Sequence, residues 1–510
     1  EQLERASNRL ANVMAAIGIV RGTRVVLMVP PSLEFFSLTF ALFKAGAVPV
    51  LIDPGIGIRN MGGCLRQARP QAFIGISKAQ AARVLLGWGR ESLRIAVTVG
   101  ARWFWGGSTL EGLENSAGAT ETFGAIQPEA DETAAILFTS GSTGAPKGVV
   151  YTHAMFGAQV ERIRALYGIE PGETDLATFP LFALFGPALG MTTVIPEMDA
   201  TRPANVNPEN IFSAIEKYSV TNMFGSPALI NRVGRYGEQH GLKLPGLRRA
   251  ISAGAPVPAK VLARFAAMMT PVAEVFTPYG ATECLPVASI GSDEILRETR
   301  QQTDAGAGVC VGRPVPGVVA KVIRITDEAI AIWQNDLELP PGEIGEIAVS
   351  AAHATRTYFD LPTATGLAKI QDPTNQRFFH RMGDLGYFDA HGRLWFCGRK
   401  AHRVVTQTGT KYTIPCEAVF NVDPRVYRTA LVGVTRGGTI KPVLCVELEP
   451  AAIHESKEAI RAALRELGAR YPHTKDIDTF LFHPAFPVDV RHNAKIFREK
   501  LAVWAAKQLA

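Results

Sequence analysis

Apolar positions recur along the first 400 residues in two alternating registers. Short β-branched runs, Arg24-Val-Val-Leu-Met-Val29, Val48-Pro-Val-Leu-Ile52 and Ala134 to Thr139, read as buried strands. Longer stretches with an apolar helical face, Leu3 to Ala16, Leu33 to Ala45 and Ala154 to Tyr167, read as helices. This rhythm predicts an α/β fold with largely parallel sheets, because a parallel strand pair needs a crossover long enough to hold a helix. After about residue 310 the pattern changes. Short strands such as Ala320 to Ile325 and Gly345 to Val349 alternate with Pro/Gly turns and predict a β-rich subdomain. Past Gly398-Arg399-Lys400, strands at Thr429 to Val434 and Val443 to Leu448 and a helix at Glu455 to Tyr471 predict a small α+β domain. The expected division is therefore a large N-terminal domain, 1–398, and a small mobile C-terminal lid, 399–510.

Composition narrows the classes. A chain of 510 residues exceeds one hydrophobic core, and 47% apolar with 20% charged residues excludes a disordered chain. The most membrane-like stretch, Phe35 to Ile52, is broken by Lys44 and Pro49, so no transmembrane helix is expected. The net charge of +6 is modest, and the basic residues are scattered. Nucleic-acid binding is not expected, whereas anionic substrates such as nucleotides or fatty acids are admitted. Cys64, Cys284, Cys310, Cys397, Cys416 and Cys445 lie far apart with no C-x-x-C pair. Neither a structural zinc nor a disulfide framework is expected, and a reducing cytoplasm is the default location. The chain opens at Glu1 inside a helical pattern with no signal peptide, and a preceding segment is expected.

The chemistry concentrates in Leu137-Phe-Thr-Ser-Gly-Ser-Thr-Gly-Ala-Pro-Lys-Gly-Val-Val150. Gly141, Gly144 and Gly148 permit tight backbone paths; Thr139, Ser140, Ser142 and Thr143 supply hydroxyls; Lys147 adds a cation. Backbone N–H groups, hydroxyls and one ammonium together make a cradle for polyphosphate. It is not a Walker A loop, since Pro146 precedes Lys147 and Gly148 follows it. Val149-Val150-Tyr151 reads as strand, so the loop is expected to join two strands. A plain polar turn is the alternative, but such turns rarely run through so many small and hydroxyl residues between apolar strands.

The segment Thr139 to Gly148 resembles the signature loop of the adenylate-forming superfamily, which includes acyl-CoA synthetases, peptide-synthetase adenylation domains and luciferases. Further motifs follow in the family's order. Lys44-Ala-Gly-Ala47 with Asp53-Pro54 is similar to an early motif, and Ser252-Ala-Gly-Ala-Pro256 to the adenine-binding segment. Tyr279-Gly280-Ala-Thr-Glu283 matches Tyr-Gly-x-Thr-Glu, Gly383-Asp384 a ribose-binding Gly-Asp, and Gly398-Arg399 a domain-boundary Gly-Arg. The resemblance implies ATP and Mg²⁺ as cofactors. It implies that Tyr279 lies along the adenine with the backbone of Gly254, Ala255 and Pro256 on its edge. Thr282 would touch the α-phosphate, and Glu283 would hold Mg²⁺. Asp384 would accept from the ribose hydroxyls, and Arg399 would reach ribose or phosphate. Displacing pyrophosphate with a carboxylate needs alignment and charge neutralisation more than proton transfer, which suits these residue types.

Three departures bear on the second step. The family's C-terminal Pro-x-x-x-x-Gly-Lys is altered in Pro487-Val-Asp-Val-Arg-His-Asn-Ala-Lys495, leaving Lys495 as the bridging lysine, with Arg491 in competition. The hinge position after Gly-Arg-x is Ala401, where the family has Asp or Lys. Ala183, in Pro180-Leu-Phe-Ala-Leu-Phe-Gly186, stands where a bulky residue often borders the thiol route. Within the superfamily the chain resembles the β-lactone synthetases of bacterial long-chain olefin biosynthesis. Their chemistry implies activation of a long-chain 2-alkyl-3-hydroxy acid and closure by its own hydroxyl. Relatives in that pathway act beside a β-lactone decarboxylase, a reductase and a thiolase-like enzyme, so the resemblance makes these three the candidate partners for assembly. A tethered hydroxyl is an effective nucleophile, at roughly 10⁵ M or more when well oriented. An acyl pocket is expected around Phe182, Ala183, Phe185, Met223 and Phe224, with ordinary core as the other reading. A long-chain fatty acyl-CoA synthetase, a fatty acyl-AMP ligase and a non-catalytic nucleotide-binding module remain as alternatives.

Overall fold

The computed structural model describes residues 1–116, 121–139, 146–488 and 496–510. They form two compact units, each assembled from several chain segments. One comprises Glu1–Glu161, Thr282–Cys284 and Ala352–Lys369; the other comprises Arg162–Ala281, Leu285–Ala351 and Ile370–Ala510.

The first unit is built on a seven-stranded sheet. In spatial order its strands are Ser108–Thr109, Ile95–Val99, Ala72–Ile76, Arg24–Met28, Val48–Ile52, Thr133–Thr139 and Lys147–Thr152. Every pairing is parallel until the last, Thr133–Thr139 against Lys147–Thr152, which is antiparallel. The parallel strands are apolar almost throughout because helices such as Leu33–Lys44 and Ile58–Ala68 cross between them. Ser32 starts the first of these by accepting the Phe35 N–H. Val26, Val50, Phe73 and Ile136 from the sheet meet Met61, Cys64 and Leu65 from Ile58–Ala68 in one core.

The second unit carries a longer sheet whose direction changes along its length. Thr192–Val194, Thr174–Ala177, Asn222–Phe224, Arg249–Ile251 and Glu274–Ala281 pair in parallel. From Cys284–Gly291 the order continues antiparallel through Val309–Pro314, Leu394–Arg399, Arg377–Phe388, Gly345–Ser350 and Val319–Ile323. The β-rich stretch foreseen after residue 310 thus extends the same sheet. The C-terminal part of this unit is the small α+β domain expected from the pattern. Its sheet is Val426–Arg436, Thr439–Leu448 and Thr479–Phe482, with helices Thr413–Phe420, Lys457–Ala469 and Arg498–Leu509. Strand alternation sends Leu431 and Leu444 into a core with Phe420, Ile460 and Leu464. Their neighbours Ala430, Val432 and Cys445 face the other side, against Leu501 and Ala505. Among the described residues no helix is long and apolar enough to cross a membrane.

Candidate active site

The strands Thr133–Thr139 and Lys147–Thr152 pair so that Thr139 stands opposite Lys147 and Phe138 opposite Gly148. The glycine- and hydroxyl-rich segment therefore joins two antiparallel strands, as the valines after it suggested. Ser140, Gly141, Ser142, Thr143 and Gly144 lie outside the described residues, as do Lys495 and its competitor Arg491. Lys147 sits at the mouth of the hairpin with its Nζ 4.8 Å from the centre of the Tyr358 ring.

Thr282 and Glu283 occupy the turn between Glu274–Ala281 and Cys284–Gly291. Their backbone is pinned from within the first unit. Tyr151 donates its hydroxyl to the Thr282 carbonyl. The Thr355 N–H (2.8 Å) and hydroxyl (3.2 Å) both donate to the Glu283 carbonyl. The Glu283 side chain is fixed as well, its Oε1 accepting the Tyr358 hydroxyl at 2.8 Å. Lys369 is buried behind this turn and donates to the Thr355 carbonyl. Burial depresses the Lys369 ammonium to about 7, against the opposing attraction of Glu283. Burial likewise pushes the Tyr151 phenol well above its ordinary value. His153 opens the helix His153–Tyr167 edge-on to Phe43, and burial lowers its pKa, the environment of a packed histidine.

In the second unit a separate group surrounds Asp384, which is 2% exposed. Asp384 stands opposite Arg399 across adjacent strands, and an Arg399 guanidinium nitrogen lies 3.1 Å from its Oδ1. The Tyr279 hydroxyl donates to Asp384 Oδ2 at 2.8 Å, and Gly280 continues the same strand. Tyr279, Asp384 and Arg399 are thus in direct contact although more than 100 residues separate the first two. Gly254, Ala255 and Pro256 form the loop that follows Arg249–Ile251 at the end of the neighbouring parallel strand. Gly254 has φ +99°, a conformation that favours glycine. Gly398, before Arg399, has φ +119°, and a Cβ there would collide with the Thr413 hydroxyl. On the far side of Arg399, Lys400 is tied to Glu346 at 3.1 Å and Arg403 to Asp327 at 2.7 Å. The segment flanking Ala401 is therefore anchored on both sides.

The residues proposed for an acyl pocket divide by face. Phe182 and Phe224 meet edge-to-face at 4.4 Å, and Phe179 packs on Phe182 at 5.2 Å. Phe182, Phe185 and Phe224 are half-buried, whereas Ala183 is buried in a short helix, Pro180–Ala183. Met223, one residue before Phe224, points to the opposite face of its strand and packs with Leu176, Val220 and Ala250 in the core.

Among the described residues no three His, Cys, Asp or Glu side chains form a metal-binding group. A cation held by one protein carboxylate and completed by phosphate oxygens and water matches Mg²⁺ better than a metal needing a full protein cage. Glu283, oriented through one oxygen by Tyr358, suits that arrangement. Tyr358 and Lys369 were not singled out by the sequence, since neither belongs to a motif with its own chemistry. The available signal was a lysine between Ala368 and Ile370 in an otherwise apolar run.

The family model described as AMP-binding enzyme matches residues 1–359. The chain is 53% identical to the olefin beta-lactone synthetase of Xanthomonas campestris pv. campestris, covering 99% of this chain and 90% of that one. It is 51% identical to the olefin beta-lactone synthetase of Stenotrophomonas maltophilia, covering 100% and 91%. Among solved structures, the amide bond synthetase McbA from Marinactinospora thermotolerans superposes with a TM-score of 0.82 at 22% identity, over 99% of this chain and 94% of that one. At that identity the likeness speaks for the fold alone.

Proposed function

The chain belongs to the AMP-binding enzyme family, and from that premise we propose that it is an ATP-dependent ligase that makes a β-lactone. Its substrate is a long-chain 2-alkyl-3-hydroxy fatty acid. In the first step a carboxylate oxygen attacks the α-phosphorus of ATP, the bond to the β-phosphate oxygen breaks, and pyrophosphate leaves. In the second the substrate's 3-hydroxyl oxygen attacks the acyl carbon, AMP departs, and the hydroxyl proton is lost as the four-membered ring closes. Ring strain opposes closure, which is why a good leaving group is needed. The observation that carries this reading is the 53% identity, over 99% of the chain, to a protein named for that product.

In this reading Lys147 and the hydroxyl loop hold the phosphates, Thr282 touches the α-phosphate, and Glu283 holds Mg²⁺. When bound, Mg²⁺ would neutralise charge developing on the phosphate oxygens. Tyr279 and the 254–256 backbone hold the adenine, while Asp384 and Arg399 hold the ribose. Lys495 bridges the carboxylate and the α-phosphate. A division at 398/399 makes the C-terminal domain a lid, and Phe182, Phe185 and Phe224 line the acyl channel. The enzyme acts in the cytoplasm beside a β-lactone decarboxylase, a reductase and a thiolase-like enzyme.

The test is incubation with ATP, Mg²⁺ and a 2-alkyl-3-hydroxy acid, with and without coenzyme A. Lactone and AMP without coenzyme A are expected. Thioester formed only with coenzyme A would instead make the protein an acyl-CoA ligase, and no pyrophosphate release would mark a non-catalytic module.

A further inference from the structure

The first unit contains a side-chain assembly that no motif accounts for, centred on Tyr358. This residue is 6% exposed. Its backbone is held against the strand that follows Lys147. The Phe359 N–H donates to the Gly148 carbonyl at 2.7 Å, the Val150 N–H donates to the Thr357 carbonyl at 3.3 Å, and Val149 bridges Tyr358. The Tyr358 N–H in turn donates to the Thr365 hydroxyl at 3.0 Å. With its main chain fixed and its ring packed among Val149, Tyr151 and Met155, the phenol has one place to be.

From that place it meets one carboxylate and two lysine side chains. Its hydroxyl donates to Glu283 Oε1 at 2.8 Å. Its ring lies under the Lys147 ammonium at 4.8 Å, and the Lys369 ammonium is 5.9 Å from the same ring. Lys369 closes a circuit, because the Thr355 carbonyl that accepts its hydrogen bond belongs to the residue whose N–H donates to the Glu283 carbonyl. Glu283 stands on a short turn, where a carboxylate without such a donor would sample several rotamers. Lys147 has a long flexible stem, for which an aromatic face is one of the few ways to limit its spread.

Resting on the roles of Glu283 and Lys147 given above, we infer that Tyr358 is a positioning residue that sets the metal-binding carboxylate and the phosphate-loop ammonium at a fixed spacing before ATP arrives. The hydroxyl directs one oxygen of Glu283, leaving the carboxylate oriented for the cation. The ring face holds Lys147 on the adjoining side. As a positioning residue Tyr358 acts through these two partners.

Two variants separate these contributions. Tyr358→Phe keeps the ring and removes the donor. Tyr358→Leu removes both. Acid-dependent exchange of labelled pyrophosphate into ATP is measured against Mg²⁺, ATP and acid concentration, with calorimetric titration of Mg·ATP alongside. For Tyr358→Phe the half-saturating Mg²⁺ concentration is expected to rise by roughly tenfold or more, the consequence of losing one hydrogen bond to a charged group. The KM for the acid stays unchanged, and saturating Mg²⁺ restores the rate. Tyr358→Leu is expected to raise the KM for ATP by a further factor of about 3, through loss of the ring under Lys147. Wild-type metal dependence in Tyr358→Phe overturns the inference. So does a rate loss that saturating Mg²⁺ leaves in place, since that marks a packing defect. If calorimetry shows the metal shift but the wild type catalyses no exchange, the reaction assignment fails while the positioning role stands. If the wild type binds no Mg·ATP, both fall.

Discussion

Replacing Asp384 by Asn changes one atom of a buried side chain and removes its charge. In the structure Asp384 accepts the Tyr279 hydroxyl at 2.8 Å and lies 3.1 Å from an Arg399 nitrogen. Its own exposure is only 2%. Arg399 is more open, with 35% of its side chain accessible, so the ion pair is screened and contributes at most about 1 kcal/mol. The larger cost comes from ligand binding. A carboxylate offers both oxygens as acceptors, whereas an amide offers one and presents donors in place of the other. Losing one charge-assisted hydrogen bond to a ribose hydroxyl costs roughly 1.5–3 kcal/mol, or about 10- to 150-fold in ATP affinity. The fold should tolerate the change, because the amide oxygen can still accept from Tyr279. Isothermal titration with ATP measures the affinity, and the thermal unfolding midpoint reports on folding. Tyr279→Phe serves as the companion, since it removes a protein–protein hydrogen bond and keeps the ring that the proposed reading lays along the adenine. Its effect on ATP affinity should be smaller, and the double variant reports the coupling between the two residues. If Asp384→Asn folds normally and binds ATP within about twofold of the wild type, well below the loss of a charged hydrogen bond, Asp384 is only an internal partner of Tyr279 and Arg399.

Two further predictions concern stability. Asp175 is buried in the parallel strand Thr174–Ala177, and burial raises its carboxyl from 3.8 to about 7, moderated by a hydrogen bond from Asn222 at 2.5 Å. Because the folded state retains this proton while the unfolded chain loses it near pH 4, the contribution to stability is full below about pH 4 and is lost as pH rises to about 7. The wild type should therefore lose stability relative to Asp175→Asn across that window, by on the order of 1 kcal/mol per pH unit, and parallel urea midpoints for the two proteins would refute this. Glu417 pairs with Arg498 at 2.6 Å and accepts the Leu431 N–H at 2.8 Å, both side chains being largely buried. Glu417→Gln leaves that guanidinium without its counter-charge and should destabilise the C-terminal domain by about 3–5 kcal/mol in urea unfolding; a change under about 1 kcal/mol would mean water already screens the pair.

The strands Arg24–Met28, Val48–Ile52 and Thr133–Thr139 and the helices Leu33–Lys44 and His153–Tyr167 were legible in the sequence to within a residue or two, because the pattern that marks each is local. Burial on both faces makes the strand Val48–Ile52 apolar throughout and Thr133–Thr139 apolar between its terminal threonines. Glu283, Asp384 and Arg399 could be named as candidates from their motifs, and the structure brings Asp384 and Arg399 into contact. What the sequence could not supply is which distant segments meet. Thr282–Cys284 and Ala352–Lys369 join the N-terminal unit, although the chain between them builds the other unit. That return brings Tyr358 to Glu283 and Lys147, and places buried Lys369 behind them. The same limit separates Met223 from Phe224, adjacent apolar residues of one strand that face opposite sides of its sheet. Hydrophobic pattern fixes that a strand has two faces, but only the packed tertiary structure decides which face is core and which looks onto a site, because that choice depends on what lies above and below the sheet.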